Sequence, residues 1–230
     1  MLSCRARRPP MVDVHLVCAE NRHLYEDAID QHHRIRRDIY IGEQRWRALV
    51  DRDGREVDQF DYKQAIYLLG LEPDGTVVSG TRLLPSSRPT LMSAVFPETA
   101  ALRGMPDGPD VLEWTRFFVV ASRREEGRLA QAGGAVLCAM LEYCLEEGVR
   151  TMRAVGEAWW MPRVMGLGWR PRPLGLPVEH DGYTLAGFAW DPTEETLAAT
   201  RAVYGISRPC LVRRGVRAGR CPEVAHGLHG

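Results

Sequence analysis

Apolar and polar residues alternate from Val12 to Val17, the period of a half-buried strand. Beyond Asn21, a residue suited to capping a helix, the period lengthens, and Leu24, Ala28 and Ile35 fall on the inward face of an amphipathic helix. Residues 47–61 read as a polar loop with Asp53-Gly54 as a turn, ahead of a strand from Gln64 to Leu71. Asp74-Gly75 then turns the chain into a second strand, Thr76 to Leu84, so the pair predicts a hairpin whose ladder stops at Pro85. Val111 to Val120, rich in Val, Phe and Trp, is the most strand-like segment of the chain. A charged loop from Arg123 to Gly134 leads through Gln131-Ala-Gly-Gly into a helix ending near Gly148. A strand from Thr151 to Gly156, one or two edge strands near Tyr183 to Trp190, and a helix from Thr193 to Tyr204 complete the pattern.

A chain of 230 residues with 45% hydrophobic content can bury one substantial core. We therefore expect residues 11–205 to form a single catalytic domain. Residues 1–10 are expected to be disordered or to precede a true start at Met11, and residues 206–230, with Arg213, Arg214, Arg217 and Arg220 among glycines, to be a disordered tail. No apolar run follows the first arginines, so no secretory signal is expected. The longest apolar stretch, Ala135 to Leu145, is interrupted by Glu142 and too short to span a bilayer. Thirty basic and thirty acidic residues balance to zero, which argues against a dedicated nucleic-acid binder. The six cysteines lack a C-x-x-C pair or a His at metal-ligand spacing, so reduced thiols in a cytoplasmic protein are expected rather than zinc or disulfides.

Between Arg36 and Arg116 charged residues sit inside apolar segments, where burial is costly unless the charge is paired. Arg36 and Tyr40 are four apart, on one face if the helix continues, and Trp46 follows. Next come Glu56-Val-Asp58-Gln-Phe-Asp61, whose close aspartates can attract a sulfonium or ammonium, then Gly80-Thr-Arg82-Leu-Leu-Pro85, Phe96, and Glu113-Trp-Thr-Arg116. Residues three apart on a regular strand face opposite ways. Glu113 and Arg116 can therefore serve one site only across a bulge; otherwise one is structural, with Arg116 pairing a carboxylate such as Asp58. The Gly133-Gly134 turn either offers backbone N–H groups to a phosphate or is a plain helix start. Bulky apolar residues concentrate between Trp159 and Trp169.

This order of residues resembles the acyl-homoserine-lactone synthases, from about Asn21 to about Pro177, with Tyr40 where Phe is usual. Trp159-Trp-Met-Pro-Arg163 and Pro173-Leu-Gly-Leu-Pro177 resemble the subgroup that takes acyl groups from coenzyme A rather than acyl carrier protein. The resemblance implies an α/β fold, a three-layer α/β/α sandwich with a mixed, splayed central sheet, N-acetyltransferase-like. It implies S-adenosylmethionine as substrate, acyl-CoA or acyl carrier protein as donor, release of methylthioadenosine, no permanent cofactor or metal, and no nucleic-acid or membrane partner. Glu113 would be the base for the substrate amine, Arg116 would organise Glu113 and the aspartates, and Arg36 and Arg82 would hold or shield the substrate carboxylate. Tyr40 and Trp46 would cover the adenosine and sulfonium, Asp58 and Asp61 would supply negative potential, and Phe96 and Phe117 would pack beside them. Trp159, Trp160, Met161 and Met165 would line the acyl tunnel, their bulk favouring a short, branched or aryl acyl group. Two rivals stay open: an N-acyltransferase acting on another amine, and a non-catalytic small-molecule sensor.

Overall fold

The computed structural model describes residues 12–124 and 130–219. β1 (Asp13–Val17) is followed by α1 (Glu26–Arg36), which runs on into a π-helical turn over Arg37–Glu43, and by a small hairpin of β2 (Asp51–Arg52) and β3 (Arg55–Glu56). Then come β4 (Ile66–Leu71), β5 (Val77–Pro85), α2 (Leu91–Ala94), β6 (Val111–Val119), α3 (Gln131–Glu147), β7 (Thr151–Glu157) and α4 (Trp160–Gly166). The last elements are β8 (Arg172–Pro173), β9 (Val178–His180), β10 (Tyr183–Trp190), α5 (Glu194–Tyr204) and β11 (Leu211–Val212).

All strands but β2 and β3 join one sheet in the order β11-β1-β4-β5-β6-β7-β10-β8, with β9 beside β10. The sheet is mixed: β1/β11 and β6/β7 are parallel, the other pairs antiparallel. Side chains alternate across it, Ile66 and Leu68 joining a core under α3 and α5 while Tyr67 and Leu69 join a second core under α1. Burial on both faces is what makes the sheet the middle of three layers.

Two irregularities shape the centre. β6 and β7 pair only from Val111–Thr151 to Glu113–Arg153 and diverge beyond that point. On the other side of β6 the register with β5 slips between Gly80 and Arg82, and Arg116 takes φ +53° at the slip, so a bulge stands between Glu113 and Arg116, one of the two arrangements their spacing left open.

Several local expectations are corrected. Asn21 does not cap the helix through its side chain; buried completely, it accepts from the Cys18 N–H and donates to the carbonyls of Leu16 and Arg214. Leu24 is exposed rather than inward-facing, because a 3-10 turn over Arg22–Leu24 precedes the helix. Gly133 and Gly134 lie inside α3, where a Cβ on Gly134 would sit 2.3 Å from the Tyr204 ring, so Gly134 serves the packing of α5 and no glycine turn stands at the helix start. β10 is no edge strand: it pairs with β7 on one side and with β8 and β9 on the other. Residues 206–219, expected to belong to a disordered tail, bury Ile206, Cys210 and Val216 and pair β11 with β1. The Glu142 carboxylate accepts the Cys210 and Leu211 N–H groups, and Arg213 ion-pairs with Glu146 and Glu147. Residues 1–10 and 220–230 lie outside the described residues. Among those described, Cys18, Cys138, Cys144 and Cys210 are buried and form no disulfide, and no helix is long and apolar enough to cross a membrane.

Candidate active site

The charged motifs meet in one lattice behind the β6 bulge. The Glu56–Asp61 segment folds into a tight turn in which the Asp58 N–H donates to Asp61 Oδ2 and the Phe60 N–H to Asp58 Oδ1. Arg36 donates through Nε to Glu56 at 2.5 Å and as a fork to Asp61 at 2.7 and 2.9 Å. Arg82 forks onto Asp58 at 2.6 and 3.0 Å, reaches Asp61 at 2.8 Å, and donates through Nε to Thr115 Oγ1. Arg116 donates to both oxygens of Glu56 at 3.1 Å and to Asp58 Oδ2 at 2.8 Å. Three guanidinium groups thus neutralise three carboxylates, which is how so many charges can be buried together.

The environment sets their ionisation. Burial pushes Glu56 up, yet the pull of Arg116 and Arg36 outweighs it and holds the carboxyl at about 2. Asp61 is likewise driven down against its burial by contact with His33, Arg82 and Arg36. His32 moves well below its ordinary value of 6.5 because it is enclosed and faces Arg36, so the folded protein keeps it neutral. Both effects act in the same direction on stability. Below pH 6.5 the unfolded chain protonates His32 while the folded chain does not, and below 4.5 the unfolded chain also protonates Glu56 first. Tm is therefore expected to fall as pH drops below about 6.5 and more steeply below about 4.5. Scanning calorimetry from pH 8 to 4 checks this, and His32→Phe should flatten the upper part of the decline; an unchanged slope in that variant refutes the role of His32.

A cavity of about 450 Å³ opens on the bulge. Asp58 and Arg116 are the lattice members that line it; Arg36, Arg82, Glu56 and Asp61 sit behind. Arg36 and Arg82, expected at the substrate carboxylate, are saturated by protein carboxylates and fully buried. Asp61 likewise supplies its charge to Arg36 and Arg82. Arg116 Nη1, by contrast, makes no hydrogen bond with the described residues. The π-helical turn carries Tyr40 into the wall, where its ring stacks on Trp46 at 4.8 Å with Arg116 over both, and its hydroxyl donates to the Phe117 carbonyl. Arg36 and Tyr40, despite their spacing, thus address different partners. Burial raises the Tyr40 phenol to about 12, so it stays a donor.

The other end of the cavity is apolar: Trp114, Phe117, Ala154, Val155, Trp160 and Phe188 line it, and Phe96 is also among the lining residues. Trp159 stands at its rim, 45% exposed. Met161 and Met165 do not line it; Met161 packs against the core beneath α4 and Met165 is 59% exposed.

Glu113 is not on the cavity wall. Fully buried, it accepts from the Met92 N–H at 2.9 Å and from Arg153 Nε at 3.0 Å, at the last residue pair before β6 and β7 part. Arg153 also donates to Thr90 Oγ1, and Thr90 caps α2, the source of the cavity residue Leu91 and the start of the segment to Phe96. Despite the bulge, Glu113 and Arg116 keep separate partners, and the alternative holds in which Arg116 pairs Asp58.

Sequence reasoning missed His180, Asp181 and Tyr183, which the β9–β10 hairpin folds against the cavity. His180 meets the Phe96 ring edge-on at 5.0 Å, and Tyr183 donates to the Gln44 carbonyl at 2.7 Å, strapping the hairpin to the segment bearing Trp46. No sequence spacing signals this closure, since the two segments are far apart in the chain. No cluster of His, Cys, Asp and Glu among the described residues could hold a metal ion.

Residues 20–188 match the family described as autoinducer synthase. An isovaleryl-homoserine lactone synthase from Bradyrhizobium diazoefficiens is 44% identical over 174 residues, 75% of this chain and 77% of the relative. The structure of a CoA-dependent acyl-homoserine lactone synthase, BjaI, with SAM and isopentyl-CoA superposes with a TM-score of 0.86 at 37% identity, over 94% of this chain and 99% of that one. In fold alone the likeness extends to an acyl-CoA N-acyltransferase from Pseudomonas aeruginosa, at a TM-score of 0.53 and 13% identity over 78% and 99% of the two chains.

Proposed function

The chain belongs to the autoinducer synthase family, and on that premise we propose that it joins S-adenosylmethionine to a short branched acyl group from coenzyme A, releasing an acyl-homoserine lactone, coenzyme A and methylthioadenosine in the cytoplasm. It is an acyltransferase of the acyl-homoserine-lactone synthase type. One observation carries the substrate assignment: a single cavity joins an aromatic, charged end at Tyr40, Trp46, Asp58 and Arg116 to an apolar end closed by Trp114, Trp160 and Phe188.

The first end suits the cationic, zwitterionic substrate. The stacked rings of Tyr40 and Trp46 take the adenosine and sulfonium, an aromatic face attracting a cation by about 0.5–2 kcal/mol. Asp58 adds the one lattice carboxylate facing the cavity, and Arg116 Nη1 is aimed to hold the substrate carboxylate. The amine then attacks the thioester carbonyl and expels the coenzyme A thiolate. With the amide formed, the carboxylate attacks the γ-carbon in line with the departing methylthioadenosine sulfur, a unimolecular closure whose effective molarity can reach about 10⁵ M.

The amine must first lose a proton. Of the carboxylate and imidazole groups lining the cavity, Asp58 is held by two arginines and Glu157 by the Trp159 indole, while His180, edge-on to Phe96, has among the described residues the lining carboxylate Asp181 as its charged neighbour, at 3.9 Å. We assign the proton to His180, and Glu113 to positioning α2 through Arg153. His180→Gln is expected to lower kcat about 100-fold at neutral pH. An unaltered kcat overturns that assignment.

Mass spectrometry of the protein with S-adenosylmethionine and a panel of isovaleryl, cinnamoyl, hexanoyl and octanoyl thioesters, each on coenzyme A and on acyl carrier protein, tests the reading. Lactone with methylthioadenosine from isovaleryl-CoA is expected. Acylation without methylthioadenosine supports an N-acyltransferase instead, and silence across the panel supports a sensor.

A further inference from the structure

An aromatic ladder runs to the start of α4, and its outermost ring, Trp159, stands apart from the sealed walls of the acyl pocket. Trp160 is partly buried against Trp114 and Phe117, with ring centroids 5.6 Å from each. Trp159 stacks on Trp160 at 4.8 Å and 22°, yet remains 45% exposed at the cavity rim. Its indole N–H donates to Glu157 at 2.8 Å, and the Arg163 guanidinium lies 4.8 Å from its ring centroid. A large ring is thus held rigid by three contacts while much of its surface stays in water, an arrangement that costs free energy until something covers it.

An acyl tail cannot be that cover. It needs walls sealed from solvent, and Trp114 at 5%, Ala154 at 3% and Phe188 at 1% exposure supply them deeper in the cavity. From Trp114 through Trp160 to Trp159 the rings run from core to solvent, so a donor whose acyl end lies inside must bring its charged, soluble end out past Trp159. Coenzyme A carries at that end an adenine and three phosphoryl groups. A flat ring to stack on and a guanidinium beside it are the chemistry that recognises a nucleotide.

We propose that Trp159 and Arg163 form the docking site for the adenine nucleotide end of the acyl donor, Trp159 stacking on the base and Arg163 pairing with a phosphate. This rests on the acyl-CoA reading above and deepens it. An acyl carrier protein brings the same pantetheine arm without a purine, so the ladder is also a device for preferring coenzyme A as carrier. Trp159 thereby moves from the acyl wall to the other end of the donor.

Two measurements test this. First, kcat/KM is compared for isovaleryl-CoA and for isovaleryl-pantetheine, which has the same thioester and no nucleotide. Trp159→Ala should lower the CoA-to-pantetheine ratio about tenfold through KM for the donor, Trp159→Phe should restore most of it, and Arg163→Gln should lower it too. Equal losses with both donors overturn the proposal and return Trp159 to the pantetheine or acyl path. Second, calorimetric titration with adenosine 3′,5′-bisphosphate, which requires no turnover, should detect binding to the unmodified protein and its loss in Trp159→Ala. Bisphosphate binding without lactone from any thioester would sink the synthase reading and keep the nucleotide site; lactone formation without bisphosphate binding would do the reverse.

Discussion

Arg116→Gln is expected to lower kcat/KM for lactone formation by at least about 100-fold in protein that is still folded, the scale of removing one preorganised charged donor from a reacting group. The residue combines three features: it lies on the bulge and lines the cavity, its Nε and Nη2 are fixed by Glu56 and Asp58, and in the proposed reading its Nη1 takes the substrate carboxylate. Glutamine removes the charge that would steady the carboxylate before ring closure, and it loosens the stack with Tyr40 and Trp46. Stability falls as well, but less than in a full orphaning, because Glu56 keeps Arg36 and Asp58 keeps Arg82. Arg116→Lys separates the two effects: it restores charge without the fork, so Tm should recover further than activity. Steady-state kinetics beside a thermal melt reads both. A folded glutamine variant within threefold of the parent rate removes Arg116 from the substrate.

Glu113→Gln should behave in the opposite way. The substitution leaves the enclosed Arg153 guanidinium without its carboxylate, and breaking such a pair costs about 3–5 kcal/mol. The loss should be plain in urea unfolding at neutral pH, while the folded fraction keeps a kcat near the parental one on the proposal that His180 takes the proton. KM for the acyl donor should rise, since Arg153 also holds Thr90 and hence the cap of α2. If stability is unchanged and kcat falls about 100-fold, Glu113 is the base after all and His180 is not.

The contrast between these two residues marks what the chain reveals before it is folded. Strand and helix periods are local, so β1, the β4–β5 hairpin, β6 and α3 stand close to where alternation and helical spacing put them. The membership of the charged cluster is also legible, because Arg36, Glu56, Asp58, Asp61, Arg82 and Arg116 are costly to place in apolar segments unless they meet. Which of them faces the ligand is not legible. That depends on pairings across the fold: Arg36 and Arg82 are used up by the aspartates, and Glu113 is used up by Arg153, forty residues away on a parallel strand. Glycine was ambiguous for a similar reason, since Gly134 answers to a tyrosine seventy residues downstream rather than to a phosphate.

β11 gives one further consequence, for synthesis rather than catalysis. The last strand among the described residues covers the outer side of the first, pairing Leu211 with Val14 and Val212 with His15. On a ribosome β1 is therefore made early and waits, its outer hydrogen-bonding edge open, until residues 211–212 emerge. Open edges recruit other strands. The nascent chain thus presents an edge that can self-associate until residues 211–212 emerge, and any truncation that removes residues 206–219 leaves that edge open.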